Sequence, residues 1–323
     1  MSTAAATTPT SPLTRVTARL DWRSNIIYLA FVLVFVLFAT TLGDSGFLSG
    51  GNLVNIVRQT ATISVMAVAM TFVIANAEID LSVGSVAGLS SVVTAMTITS
   101  HGLVPGVLAG LAAGAVIGAV NGGLVALLRI PSFLVTLGML GLAAGLAQWI
   151  TGSAPQPITD DTYVLVFGGG NFGPVPGLLV WTALAVAVGW VVMNRTRYGR
   201  QVLATGGNPT AAAYTGIRTA RIKFLVLLTS GVVASLAGML YAGRLASGRF
   251  QWGQGDELTV IAAVILGGTS LFGGRGAIIG TLFGSLFMGL VNNGLILAGL
   301  DVAQQQVVRG AIIIAAVALS RKA

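Results

Sequence analysis

The sequence predicts an all-α polytopic membrane protein, and three observations carry that prediction. Hydrophobic residues make up 55% of the chain and charged residues only 8%, with a mean hydropathy of +0.90, a balance outside the range of soluble domains. The apolar residues gather in stretches that approach the roughly 20 residues a membrane-spanning helix needs. Glycine is abundant, at 44 residues, which suits helices held together in lipid by close backbone packing rather than by exclusion of water. The net charge of +8 then reads as basic residues collected at a cytoplasmic membrane surface, not as a nucleic-acid footprint. The chain has no Cys and a single His, His101, so disulfides, thiolate metal sites and multi-His metal sites are excluded.

Met1–Ser24 is polar and carries Arg15, Arg19 and Arg23. It reads as a disordered cytoplasmic tail (1–24) ahead of a transmembrane domain (25–323). A signal peptide is the competing reading, but the apolar run Ile26–Leu42 is long for one and no clean Ala-x-Ala site follows it. The further candidate spans are Leu53–Ala75, Ser82–Thr99, Leu103–Leu128, Phe133–Ile150, Leu178–Met193, Phe224–Gly243, Leu258–Leu271, Ala277–Ala298 and Val302–Leu319. That makes about ten. The third, eighth and tenth are short or interrupted by polar residues, so eight or nine stay open. With ten spans and the N-terminus inside, both termini are cytoplasmic and the outer loops receive only Arg244 and Arg249, as the positive-inside rule asks. Thr151–Gly177 is the one long outer loop, a surface loop or a short re-entrant piece. No segment has room for a nucleotide-binding domain, and no GxxxxGK[ST] occurs.

Gly118-Ala119-Val120-Asn121-Gly122-Gly123-Leu124 matches Gly289-Leu290-Val291-Asn292-Asn293-Gly294-Leu295. Each lies in the fourth span of a five-span half. An odd number of spans per half makes the halves inverted copies, an architecture of transporters with the path at the repeat interface. Chance similarity in a low-complexity background is the alternative.

Residues 195–223 form a basic stretch between two apolar spans, too polar to cross a bilayer and too short to be a domain. It contains a Gly206-Gly207-Asn208-Pro209 turn and a helix-forming run, Thr210–Tyr214, that leads to Gly216-Ile217. A docking site for a soluble partner and an ordinary basic loop both fit.

Polar groups within spans are costly and need a reason. Glu78, Asp80 and Ser82 sit at the junction of spans two and three. They cap span three, or they serve as a gate or coupling element. Asn121, Asn292 and Asn293 either brace neighbouring helices or line a translocation path for a hydroxyl-rich solute. Arg58 and Arg309 lie within spans, where they snorkel to the outer surface or receive acidic residues of a docking protein; Arg244 and Arg249, with Asp256 and Glu257 on an outer loop, suit the same contact. On this topology every acidic residue lies at a membrane surface.

Several motifs carry a resemblance. Gly206-Gly207-Asn208-Pro209 with Ala211-Ala212 and Gly216-Ile217 resembles the coupling loop of ABC-importer permeases of the ribose and simple-sugar type. Ile79-Asp80-Leu81-Ser82-Val83-Gly84 resembles that family's Gly-Gly-Ile-Asp-Leu-Ser-x-Gly motif, with Ala77-Glu78 where glycines are usual. Ile130-Pro131-Ser132-Phe133-Leu134-Val135-Thr136-Leu137-Gly138 resembles its Ile-Pro-x-Phe segment. Gly267-Gly268-Thr269-Ser270-Leu271-Phe272-Gly273-Gly274-Arg275-Gly276 resembles its Gly-rich turn. The motifs stand in the family's order over roughly residues 50–320. The resemblance implies a type II ABC importer-like fold in a bacterial inner membrane and a sugar or sugar-like cargo. It implies a second permease subunit, an extracytoplasmic binding protein docking near Arg58, Arg244, Arg249 and Arg309, and a separate ATPase holding ATP and Mg. Arg200, Gly206, Gly207, Asn208, Pro209, Ala211, Ala212, Gly216 and Ile217 would contact that ATPase, and no cofactor or catalytic residue falls on this chain. The alternative is an ion-coupled secondary transporter with Glu78 or Asp80 as its ion site.

Overall fold

The computed structural model of the chain describes residues 22–173 and 175–320. Residues 1–21 of the expected tail, with Arg15 and Arg19, lie outside the described residues, as do Arg321 and Lys322; residues 22–24 belong to the first helix. The described helices are α1 (Trp22–Thr41), α2 (Gly50–Ala75), α3 (Val83–His101), α4 (Leu103–Ala126), α5 (Ser132–Thr151), α6 (Asp161–Phe167), α7 (Gly177–Arg195), α8 (Arg197–Gly207), α9 (Pro209–Tyr214), α10 (Thr219–Leu245), α11 (Asp256–Leu266), α12 (Ile278–Leu297) and α13 (Val302–Ser320). Strands are limited to two-residue antiparallel pairs. In one, β1 (Gln156–Pro157) meets Ser247–Gly248 with Gln156 opposite Gly248; in the other, β2 (Asn171–Phe172) meets β3 (Val175–Pro176).

Seven helices, α2, α3, α4, α5, α7, α10 and α12, are long and apolar enough to cross a membrane; α1 and α13 carry the shorter apolar stretches Ile27–Thr41 and Val302–Ala318. The apolar stretches read from the sequence each fall on a helix. The eighth departs from expectation. Instead of Leu258–Leu271 the helix is Asp256–Leu266, 11 residues, a rise of about 16 Å and roughly half the hydrocarbon core. Gly267 and Gly268, the latter at φ 93°, end it.

Small residues set the packing of the bundle. Gly106, Gly110, Gly114, Gly118 and Gly122 recur every four residues along α4 and all are buried, so they form one stripe. Gly114 lies against Gly231 and Ser235 of α10, Gly118 against Leu227 and Leu228, and Gly122 against Phe224. A side chain at any of them would meet neighbouring backbone or side-chain atoms, so the stripe is what lets α4 and α10 approach.

The long loop between α5 and α7 is ordered around α6. Asp160 accepts the Tyr163 N–H (2.8 Å) at its start. Tyr163 is fully buried, donates its hydroxyl to the Met239 carbonyl (2.9 Å) and stacks on Phe167, which stacks on Trp181. The loop is thus clamped across the end of α10.

Candidate functional site

Two helices of the bundle begin inside it. Between α2 and α3 the chain runs without regular secondary structure through Glu78–Ser82 and climbs α10. Glu78 pairs with Lys223 Nζ (2.5 Å) near the start of α10. The Ile79 N–H donates to Ser132 Oγ (3.1 Å), and Thr136 Oγ1 donates to the Ile79 carbonyl (3.2 Å). Asp80, 1% exposed, accepts from the Ser82 N–H (2.9 Å) and the Ser82 hydroxyl (2.6 Å) on Oδ1 and from Ser230 Oγ (2.7 Å) on Oδ2. Ser230 stands about 16 Å along α10 from Thr219 and about 22 Å from Leu245. Asp80 therefore lies inside the bundle, about 10 Å along α10 beyond Lys223, rather than at the bundle's end. The expected cap is also redistributed: Ser82 precedes α3 but makes no side-chain capping bond, and Asp80 takes the free Ser82 N–H instead.

The second interruption comes from the other end. After α10 the chain does not stay outside as a loop. It runs back along α3, with Ser91 Oγ donating to the Arg249 carbonyl (3.0 Å). The backbone of Phe250 and Trp252 lies on Gly88, and Gly253 lies on Gly84. Glycine at 84 and 88 is what makes room for a second backbone. Non-helical backbone at membrane depth is tolerated only when buried in protein in this way or lining a wet cavity. α11 starts there, with Glu257 beside Gly84 in the first turn of α3. Asp256 and Glu257 thus belong to a helix start within the bundle rather than to an outer loop. The partly positive N-termini of α3 and α11 converge.

Around the start of α11 the Tyr241 hydroxyl donates to Asp256 Oδ2 (2.5 Å). The Tyr241 ring stacks on Trp252 (6.1 Å, 16°), and the Arg249 guanidinium sits 5.3 Å over the same indole. Arg309 is within electrostatic reach of Asp256. Gln251, Gln254 and Gly255 remain exposed beside this cluster. Ser230, Tyr241 and Trp252 were not singled out from the sequence. An isolated Ser or Tyr in a span carries no periodic signal, and the residues that give these three a role are brought to them by the fold.

The asparagines separate. Asn121 is buried and its Nδ2 donates to Ser82 Oγ (3.0 Å), which joins it to the Asp80 group. Asn293 exchanges hydrogen bonds with Asn52 of α2 (3.1 and 2.8 Å). Asn292 is half-buried. Among the basic residues, Arg58 donates to Asn171 Oδ1 (2.9 Å) in the loop between α5 and α7. Arg58 lies close enough to Arg244 for the two charges to interact, and Arg249 is exposed.

The basic stretch folds as a helical hairpin outside the bundle. A helix, α8, runs through Gly206 and Gly207 of the expected Gly206-Gly207-Asn208-Pro209 turn, and the break falls at Asn208. Thr196 caps α8 by accepting the Gly199 N–H (3.2 Å). Its inner face holds Val202, Thr205 and Gly206, while Arg200 points out. Tyr198 stacks on Phe72 of α2 (6.2 Å, 19°), and burial pushes its hydroxyl up to about 12. Gly206 packs directly on the Ala75 carbonyl, which also accepts the Gly274 N–H (2.9 Å), and Gly273 covers the Gly206 carbonyl. α9 is capped by Asn208 Oδ1 on the Ala211 N–H (2.9 Å), with Pro209 in its first turn where a missing N–H costs nothing. It ends at Gly216, φ 86°, with Gly216 N–H donating to Ala213 and Ile217 N–H to Ala212, a Schellman closure. Ala212 is its buried residue; Pro209, Ala211 and Gly216 are exposed, and Tyr214 is 88% exposed.

Residues 52–317 match the family described as "Branched-chain amino acid transport system / permease component". Among curated relatives, the probable ABC transporter permease protein YphD of Escherichia coli K12 is 42% identical over 91% of this chain and 88% of its own length. The ribose import permease protein RbsC of Bacillus subtilis 168 is 40% identical over 90% of both chains. The fructose import permease protein FrcC of Rhizobium meliloti is 38% identical over 91% of this chain and 84% of its own.

Proposed function

This chain belongs to the family of branched-chain amino acid transport system permease components, and from that premise we propose that it is the membrane-spanning permease subunit of an ATP-driven ABC importer for a sugar or sugar-like solute. The cargo class follows the relatives, whose names specify ribose and fructose. A binding protein delivers the solute, a second permease subunit completes the path, and a separate ATPase subunit holds ATP and Mg. The chain sits in a bacterial inner membrane with both termini cytoplasmic.

The observation that carries the coupling is the α8–α9 hairpin. It presents the Tyr214 ring to solvent yet is fixed to the end of α2 through Gly206 on Ala75. A cleft on the ATPase would take α9 with Asn208, Pro209, Ala211 and Gly216, and Arg200 would lie at its edge. Closure of the ATPase pair moves the hairpin as a unit. Ala75 passes that motion to Glu78, Asp80 and Ser82, the segment that sets where α3 begins, and so to the meeting point of α3 and α11. Half-helices that meet within a bundle are where transporters place their cargo sites. Asp256, Glu257, Gln251 and Gln254 would line the path, with Asn121, Asn292 and Asn293 bracing or bordering it. The solute needs only to interact differently with the two states for the cycle to be coupled.

Two inverted halves with ten crossings account for one regularity. In each half a long helix (α2, α10) is followed by an unwound segment and by a helix that begins within the bundle (α3, α11). One unwound segment enters from each side.

The test is uptake of labelled ribose, fructose and other pentoses and hexoses into vesicles holding this permease with the ATPase and binding protein encoded beside its gene. Uptake that needs ATP and ignores an ionophore is expected. Uptake that persists without the ATPase and collapses with an ionophore would overturn the proposal and favour ion coupling at Asp80.

A further inference from the structure

We propose that the cleft between α7 and α12 is a binding site for one anionic phospholipid, with its headgroup at the Arg275 end and an acyl chain in the groove above it. Two cavities meet there. One, about 550 Å³, is lined almost wholly by apolar side chains, among them Ala61 of α2, Leu179, Val186 and Ala187 of α7, and Leu282 and Leu286 of α12. The other, about 280 Å³, is lined by Tyr28, Asn194 and Arg275 and by the turn glycines Gly267, Gly268 and Gly276. Trp190 and Ile279 line both, so the two cavities adjoin.

The dimensions suit a lipid tail. From Leu179 to Trp190 the groove follows α7 for about 16 Å, close to the roughly 15 Å of hydrocarbon in one leaflet. Trp190, 37% exposed, marks the change from apolar to polar lining, the position indoles favour at a membrane interface. Asn194 Nδ2 donates to the Trp190 carbonyl (3.0 Å), which holds the amide at the mouth.

The charge suits a phosphate. The Arg195 guanidinium lies 5.5 Å over the Trp190 ring, and Arg275 is exposed on the other side of the mouth. Neither cavity is lined by a carboxylate. Among the described residues the one ion pair is Lys223–Glu78, so no described carboxylate pairs with either arginine. An apolar helix of a second permease copy would cover the groove but leave both cations uncompensated. A phospholipid answers both needs at once, and basic pockets between membrane helices on the cytoplasmic side bind such headgroups. The inference uses the orientation proposed above only to choose the leaflet.

The test measures lipid, not transport, so it stands apart from the importer reading. The full chain is reconstituted in vesicles of equal phosphatidylglycerol and phosphatidylethanolamine, re-extracted in mild detergent, and its retained lipid counted by native mass spectrometry. Wild type is expected to retain about one phosphatidylglycerol per chain, and Arg195→Gln with Arg275→Gln to lower that by about tenfold while phosphatidylethanolamine is unchanged. Ala187→Trp, which fills the groove and leaves both arginines, is expected to lower it as well. Equal retention by wild type and both variants, each monodisperse, would overturn the site. The chain has no Cys, so Ala187→Cys gives a single thiol. Rapid disulfide dimerisation of that variant in native membranes would assign the groove to a second copy and overturn the lipid.

Discussion

Ser230 Oγ donates to Asp80 Oδ2 at 2.7 Å across 150 residues of sequence, joining the middle of α10 to the unwound segment that leads into α3. Asp80 thereby receives a hydrogen bond on each oxygen, with Ser82 filling the other. Ser230→Ala leaves one buried carboxyl oxygen short and is expected to cost about 1–3 kcal/mol. Asp80→Ala strands three donors and is expected to cost more, on the order of 3 kcal/mol or above. Thermal unfolding of the purified permease in detergent reads both. An unchanged midpoint for Asp80→Ala would show that the segment is not held by this residue.

Glu78 is 7% exposed and Lys223 about one-third. Lys223→Met leaves the Glu78 carboxylate buried without its partner. The expected loss is roughly 1–3 kcal/mol, below the range for a fully buried pair because water still reaches Lys223. A charge swap, Glu78→Lys with Lys223→Glu, should recover part of it, and a double-mutant cycle with a coupling energy near zero would count against the pair.

Neighbouring glycines of the hairpin should behave oppositely. A Cβ at Gly206 would fall on the Ala75 carbonyl, whereas one at Gly207 would meet only Gly274 Cα at an ordinary 3.5 Å. Gly206→Ala is expected to reduce ATP-driven uptake by tenfold or more with the permease still inserted, while Gly207→Ala keeps most of it. Equal effects would argue against rigid transmission through Ala75.

Tyr214 is 88% exposed. Tyr214→Ala should leave the permease's own unfolding midpoint within about 0.5 kcal/mol of wild type. Its effect belongs to assembly: a fall of roughly tenfold or more in affinity for the ATPase, as for an aromatic anchor in a cleft. Binding measured in detergent with the purified ATPase separates the two.

Asp256 and Arg249 lie on the same interrupted segment but are assigned different work. Asp256→Asn is expected to lower solute uptake by about tenfold at any ionic strength, since it alters the short Tyr241–Asp256 hydrogen bond at the path. Arg249→Glu should instead slow capture of the binding protein, with an effect that shrinks as salt rises. Uptake rates at low and high salt distinguish them.

Much of the fold was legible because hydropathy is a running average along the chain. It found the stretches that became α1 to α5, α7, α10, α12 and α13, and it marked residues 195–223 as a segment outside the membrane. Local chemistry was partly readable: the helix-forming run Thr210–Tyr214 became α9, whereas Gly206 and Gly207, read as part of a turn, lie in α8. The same averaging misread Asp80, Asp256 and Glu257 as surface groups, because polarity alone does not reveal whether a buried partner is waiting. Only the tertiary structure brought Ser82 to Asn121, Ser230 to Asp80 and Gly84 to Glu257. Those contacts join residues on different helices, and their energy lies in desolvated hydrogen bonds and backbone clearances that no periodicity of the sequence records.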